Sequence, residues 1–187
     1  MNIFGRRKEP RPARTEFETV VNAYESQLIV YAARIVGSRA AAEDIVQEAF
    51  IKLSQYWRGE LTPNPAVSAW LYKAAYNAAI DHVRREKRSK DVYKRHYAER
   101  EADAEAAVAE QDAPDGADAA AKVRAALAEL NERERSLVVL KVYENKSYNE
   151  IAEITGLKSG NVGFILHTAM KKLAKTISQK QGGGDEN

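Results

Sequence analysis

The stretch Ser147-Tyr148-Asn149-Glu150-Ile151-Ala152-Glu153-Ile154-Thr155-Gly156-Leu157-Lys158-Ser159-Gly160-Asn161-Val162-Gly163-Phe164-Ile165-Leu166 decides the fold of the C-terminal third. Ser147 and Glu150 form a capping box, the pairing in which a hydroxyl and a carboxylate three residues apart satisfy free amides at a helix start. Ile151, Ala152 and Ile154 then give a short helix its apolar face, and Gly156 permits a sharp turn that Leu157 can plug from inside. Ser159 is placed to cap a second helix, in which Val162, Leu166, Ala169 and Leu173 recur at helical spacing. A capped short helix, a glycine turn and an apolar-stepped second helix together make residues 147–173 a helix-turn-helix. The bland alternative is a plain helical hairpin, but the spacing of Ile151, Gly156, Val162 and Leu166 suits the tight crossing of a DNA-reading motif. On that reading the outward face of the second helix presents Ser159, Gly160, Asn161, Phe164, His167, Thr168 and Lys171. Asn161 suits a base edge and Phe164 a thymine methyl, and the helix N-terminus suits a phosphate.

Working upstream, Val123, Ala126, Leu127 and Leu130 mark another helix, and Asn131 with Glu134 marks a further start. Leu137, Val138, Leu140 and Val142 read as its buried side, and Asn145 and Lys146 as a turn. Four helices ending in the helix-turn-helix are expected over 119–178.

The N-terminal half repeats this helical logic. Thr15 and Glu18 read as a capping box opening a helix whose stripe is Phe17, Val21, Tyr24, Leu28, Tyr31 and Ile35. Gly37 ends it and Ser38 caps the next, which buries Ile45, Val46, Ala49, Phe50 and Leu53 and turns Asp44, Gln47, Glu48 and Ile51 outward. Pro63 and Pro65 make residues 59–65 a loop. A third helix begins near Val67 or Ser68 and passes through Trp70, Leu71, Ala75, Ala78 and Val83 into a basic stretch. Trp57 and Trp70 are expected in the core, while Tyr72 and Tyr76 stay open between core positions and stacking on unpaired bases.

Charge distribution divides the chain. Net charge is only +2, yet residues 73–95 carry Lys73, Arg84, Arg85, Lys87, Arg88, Lys90, Lys94 and Arg95 against Asp81, Glu86 and Asp91. From Glu99 to Asp118 the sign reverses, in an alanine-rich segment too poor in large apolar residues to offset ordering entropy. The expected organisation is a flexible basic N-terminus over 1–14, a helical domain over 15–95, an acidic linker over 96–118, a second helical domain over 119–178 and a disordered tail over 179–187. The fold class is all-α, two small helical domains joined by that linker. The basic helix end is ordinarily a solvated surface, part of it an Asp81–Arg85 ion pair at i,i+4. Beside Asn77, and in a chain with a second DNA unit, it reads as a phosphate contact. The face Asp44, Gln47, Glu48 is likewise ordinarily just solvated.

Other classes find no footing. The sequence has no cysteine, which excludes disulfides and thiolate zinc sites and fits a reducing compartment. Arg6, Arg7, Lys8 and Arg11 precede no apolar run, so a signal peptide is not read, and no run of eighteen apolar residues suggests a membrane span. His82, His96 and His167 are too scattered to hold a metal, and neither a nucleophile arrangement nor a phosphate loop appears. No enzyme and no cofactor are expected, and the cytoplasm is the expected location.

Three separately placed segments now fall in one order: Glu43-Asp44-Ile45-Val46-Gln47-Glu48-Ala49-Phe50, then Trp70-Leu71-Tyr72 with Asn77, Asp81, Arg84 and Arg85, then Ser147-Tyr148-Asn149-Glu150-Ile151-Ala152 and its helix-turn-helix. Together they resemble the extracytoplasmic-function sigma factors of bacteria, over nearly the whole chain apart from both tails and the linker. The resemblance implies that the first domain is similar to sigma region 2 and the last to region 4. It implies that Asp44, Gln47, Glu48 and Ile51 dock on core RNA polymerase. It places Arg58, Asn64, Lys73, Asn77, Asp81, Arg84, Arg85 and Arg88 at the minus-ten element, with residues 58–65 where the family captures an unstacked base. It places Ser159, Gly160, Asn161, Phe164, His167 and Lys171 at the minus-thirty-five element. Two positions depart from the family pattern: Ala41 stands where an acid is common, and Asn161-Val162-Gly163-Phe164-Ile165 replaces the usual recognition run. The implied function is that of an alternative sigma factor, binding polymerase and promoter DNA, with an anti-sigma protein as the partner common in the family and no membrane insertion. The alternative reading of the residues is a stand-alone helix-turn-helix transcriptional regulator.

Overall fold

The computed structural model describes residues 14–58, 60–97 and 125–181. The segments before Arg14, between Tyr97 and residue 125 and beyond Gln181, on which the expected flexible N-terminus, acidic linker and disordered tail largely fall, lie outside them. Among the described residues the regular structure is helical. Helices α1 (Arg14–Val36), α2 (Arg39–Tyr56) and α3 (Pro65–Tyr97) form the first group. A helical turn over residues 125–128, α4 (Glu132–Val138) with a π-helical turn (Val139–Tyr143), α5 (Tyr148–Thr155) and α6 (Ser159–Gln181) form the second. No helix among the described residues is long and apolar enough to cross a membrane.

Local chemistry accounts for most boundaries. Gly37, at φ +78°, ends α1 in the left-handed region that side chains with a Cβ resist. The Ser38 side chain then accepts from the Ala41 amide to start α2. The capping boxes at Asn131/Glu134 and Ser147/Glu150 both form as read from sequence. Three starts differ from expectation. Thr15 is already helical, and Glu18 instead pairs with Arg14 at 2.8 Å. Helix α3 begins earlier, at Pro65, because Asn64 Oδ1 accepts from the Val67 amide at 2.9 Å and proline's fixed φ suits the first helical position. Ser159 does not cap α6; it is the first helical residue, and its hydroxyl meets Asn149 Oδ1 at 2.9 Å. Two ends also move: with neither glycine nor proline between Pro65 and Pro114 to stop it, α3 passes residue 95, and α6 continues through 179–181, assigned above to the tail.

The core follows the expected stripes. Leu28, Tyr31 and Ile35 of α1, the α2 set Ile45, Val46, Ala49, Phe50 and Leu53, and Leu71 and Ala75 of α3 are buried, joined by Val20 and Ala32, which the stripe omitted. Trp57 and Trp70 are half-buried and meet edge to face at 6.4 Å. In the second group Leu137, Leu140, Ile151, Ile154, Val162, Leu166 and Ala169 are buried. Val142, expected in that core, is 55% exposed, because the π turn holds an extra residue and rotates the following positions by part of a turn. Lys172 of α6 pairs at 2.7 Å with the buried Glu134 carboxylate of α4, fastening the last helix to its support.

The two groups touch. Buried apolar residues of both join in one cluster, and α5 packs against α3. Glu144, whose side chain is 3% exposed, accepts from the Tyr72 hydroxyl at 2.6 Å and from the Gln27 amide at 2.9 Å, with Arg34 at 3.8 Å. Arg34 also stacks over Tyr143 and Lys146 over Tyr72. Arg135 donates across the seam to the Ile35 carbonyl at 3.0 Å while its other N–H groups bind the Leu127, Ala128 and Leu130 carbonyls. Tyr72 and Tyr76, left open by the sequence, are therefore buried.

Candidate nucleic-acid interface

Helix α2 splits cleanly by face. Its apolar side is core, while Asp44, Gln47, Glu48 and Ile51 all point outward, Ile51 at 48% exposure. A single exposed isoleucine is common on protein surfaces, so the face is marked by its combination with Asp44, Gln47 and Glu48 and not by Ile51 alone. Glu48 pairs with Lys52 at 2.6 Å one turn on.

Helix α3 presents Lys73, Asn77, Asp81, Arg84, Arg85 and Arg88, all exposed. The expected Asp81–Arg85 pair does not form; the contact on that stretch is His82 with Glu86, at 3.9 Å. Between α2 and α3 lies a groove of about 440 Å³ lined by Glu48, Lys52, Asn77, Ala78, Asp81, Arg85 and Arg88. The groove brings residues that sequence assigned to two different partners onto facing walls. Lys52, which the sequence reading did not single out, also lines the groove, one turn after Glu48 on α2.

The remaining two minus-ten candidates have structural duties. Asn64 spends its side-chain oxygen on the α3 cap and its backbone carbonyl accepts from the Tyr24 hydroxyl at 3.2 Å, which leaves its NH2 free to face a base. Arg58 Nη1 donates to the Gln55 and Trp57 carbonyls at 2.9 and 2.8 Å, closing the C-terminal end of α2. It is exposed all the same, at the lip of the 58–65 loop, where Trp57 Nε1 donates to the Glu60 carbonyl.

In the second group Gly156, at φ +72°, makes the turn and Leu157 is half-buried within it. Ser159, Gly160, Asn161, Phe164, His167 and Lys171 share the exposed side of α6, while Val162, Leu166 and Ala169 face inward. Phe164 is 73% exposed, more than any other large apolar residue described. A ring so displayed on a helix start suits a groove rather than water.

Electrostatics mark the seam between the groups. Burial pushes the Tyr72 hydroxyl far above its usual range, and the Glu144 carboxylate beside it adds to the effect. Burial does the same at Tyr31, whose hydroxyl has no hydrogen-bond partner among the described residues. At Tyr76 burial raises and Arg133 opposes. Among the described residues no cluster of histidines and acids fit for a metal occurs.

The chain matches the family description sigma-70 region 2 over residues 20–89 and sigma-70 region 4 over residues 120–173. It is 31% identical over 169 residues to the RNA polymerase sigma factor CarQ of Myxococcus xanthus, covering 89% of this chain and 92% of CarQ. The chain belongs to the extracytoplasmic-function sigma factors. Two further relatives fit this: the sigma factor SigL of Mycobacterium tuberculosis, 32% identical over 80% of this chain and 81% of its own, and SigW of Bacillus subtilis, 28% identical over 86% and 88%. Among solved structures, the sigma factor RpoE of Bartonella quintana, in complex with the anti-sigma factor NepR, has the same fold with a TM-score of 0.63 at 21% identity, over 88% of this chain and 98% of that one. The sigma factor described here is an alternative factor that directs transcription initiation. Its family is one of initiation factors rather than enzymes.

Proposed function

We propose that this sigma factor docks on core polymerase through Asp44, Gln47, Glu48 and Ile51, reads the minus-ten element with α3 and the 58–65 loop, and reads the minus-thirty-five element with the exposed face of α6. The observation that carries the reading is the partition of α2, α3 and α6. Each assigned residue on these helices is exposed; on α2, on α6 and on α3 as far as Ile80 the intervening positions include the core, and from Arg84 to Lys90 α3 is exposed all round. Residues 15–95 and 119–178 are the two working units. The cytoplasm, where polymerase and promoters are, is the working compartment.

The direct contact between the units supports a division of labour in which neither binds promoter DNA tightly alone. The element names put them roughly 25 base pairs apart, on the order of 80 Å of duplex at about 3.4 Å per base pair. Helix α5, about 12 Å long, packs on α3 and holds the start of α6 through the Ser159–Asn149 bond. The recognition residues of α6 thus begin within about 30 Å of α3, one short helix and its flanking turns away. On this reading polymerase fixes the spacing of the two units, which converts two weak contacts into one strong one. An anti-sigma protein acts in the opposite direction, by keeping the units from their sites.

The test is reconstitution with core polymerase. Asp44→Arg is expected to lower core affinity at least tenfold with an unchanged helical spectrum; unchanged affinity contradicts the docking face. Nanomolar promoter binding by the free chain at physiological salt would instead mark a stand-alone regulator.

A further inference from the structure

We propose that Lys52 is a phosphate-binding residue of the minus-ten site and that Glu48 serves it as a positioning residue. The inference rests on the reading of α3 as the minus-ten helix. Glu48 and Lys52, on α2, form one wall of the 440 Å³ groove; Asn77, Asp81, Arg85 and Arg88, on α3, form the other. Ala78 lines it too, its small side chain leaving room. The chemistry of the groove is that of a nucleic-acid strand site. A carboxamide that can read a base edge sits beside cations that can hold the backbone, the usual separation of specificity from register.

Lys52 completes the cation set from the opposite side. Its ammonium has three donors, and the 2.6 Å contact with Glu48 uses one, leaving others for a phosphate entering the groove. The side chains of Glu48 and Lys52 are 52% and 45% exposed, so the pair itself adds little stability. Its consequence is geometric: it directs a flexible lysine along α2 toward the groove. Arg85 and Arg88 form no ion pair with another described residue, the Asp81 contact having failed to form. A strand lying along α3 therefore meets cations on both sides, and Glu48 faces the groove as well as the polymerase-facing surface.

Holoenzyme carrying wild type, Lys52→Ala, Lys52→Arg, Glu48→Gln or Arg85→Ala is titrated with a fork DNA whose minus-ten element is single-stranded, across a salt series, with core polymerase affinity measured separately. Lys52→Ala is expected to weaken fork binding severalfold and to reduce the slope of log K against log salt by about 0.7, the loss of one single-strand phosphate contact. Lys52→Arg restores the slope, core affinity is unchanged in both Lys52 variants, and Glu48→Gln, with fork binding corrected for its own change in core affinity, weakens binding less while keeping the slope. A wild-type slope for Lys52→Ala overturns the proposal; if core affinity falls as well, the residue belongs to the polymerase interface. Arg85→Ala separates the two levels. If it lowers the slope while Lys52→Ala does not, only the Lys52 assignment fails; if neither does, the minus-ten reading of α3 fails with it.

Discussion

The Tyr72 hydroxyl donates to Glu144 at 2.6 Å, joining the N-terminal part of α3 to the residue just after the π turn. A neutral donor on a buried carboxylate is worth about 1.5–3 kcal/mol, so this single bond is a sizeable part of a seam between small units. Tyr72→Phe keeps the ring edge-to-face with Tyr31 and removes only the donor. The expected outcome is a loss of about 1.5–3 kcal/mol from the contact. A dye pair at the exposed Gln55 and Lys175 then reads a larger mean separation and no change in helix content.

Alkali should open the same seam. Tyr72 and Tyr31 are both held above the usual tyrosine value in the folded chain, first by burial. A group whose folded value is raised gives stability that is complete below its unfolded value, about 10, and is lost as pH rises above it. The dye-pair signal is therefore expected to be flat from pH 7 to 9 and to fall above about 10, with a smaller alkaline loss in Tyr72→Phe. A transition centred below pH 9 contradicts the assignment.

The capping box of α5 gives a prediction on the acid side. Two hydrogen bonds from Ser147 hold the Glu150 carboxyl below its usual range. Its contribution is present above the unfolded carboxyl value and fades as pH falls through the folded one. Ser147→Ala is expected to cost about 1 kcal/mol at neutral pH, read by denaturant midpoint, with a smaller difference at pH 3.

Helix α6 carries a glycine in its interior that no contact requires. A Cβ at Gly163 would meet only the Tyr148 ring, at an ordinary 3.5 Å. Gly163→Ala should therefore raise stability by about 0.5–1 kcal/mol in a thermal melt. Phe164→Ala should leave stability near wild type and alter preference at the minus-thirty-five element alone. A change at the minus-ten element would contradict the division between the units.

Elements governed by neighbours in sequence were legible: the capping boxes at Asn131 and Ser147, the glycine turns at Gly37 and Gly156, the stripes of α1, α2 and α6, and the outward faces of α2 and α6. The failures have one physical source, competition from distant or unseen partners. The duty of Asn64 as the α3 cap was not read, because it depends on where Pro65 starts the helix. Asp81 and Arg85 had the right spacing for an ion pair, yet the side chains line a groove instead. Nothing within a helical window says that Tyr72 will meet a carboxylate 72 residues later.

The π turn at Val139–Tyr143 was equally invisible, and it governs more than its five residues. An α-helix advances about 100° per residue, so an extra residue in one turn re-aims everything that follows. Here it sends Val142 outward and lets Glu144 swing in beneath Tyr72, Gln27 and Arg34. Deleting one residue from the turn would restore regular winding and point that carboxylate elsewhere, with the helix-turn-helix itself untouched. The width of one helical turn thus acts as a phase setting: it decides whether the promoter-reading halves of the chain meet as lock and latch or pass each other by.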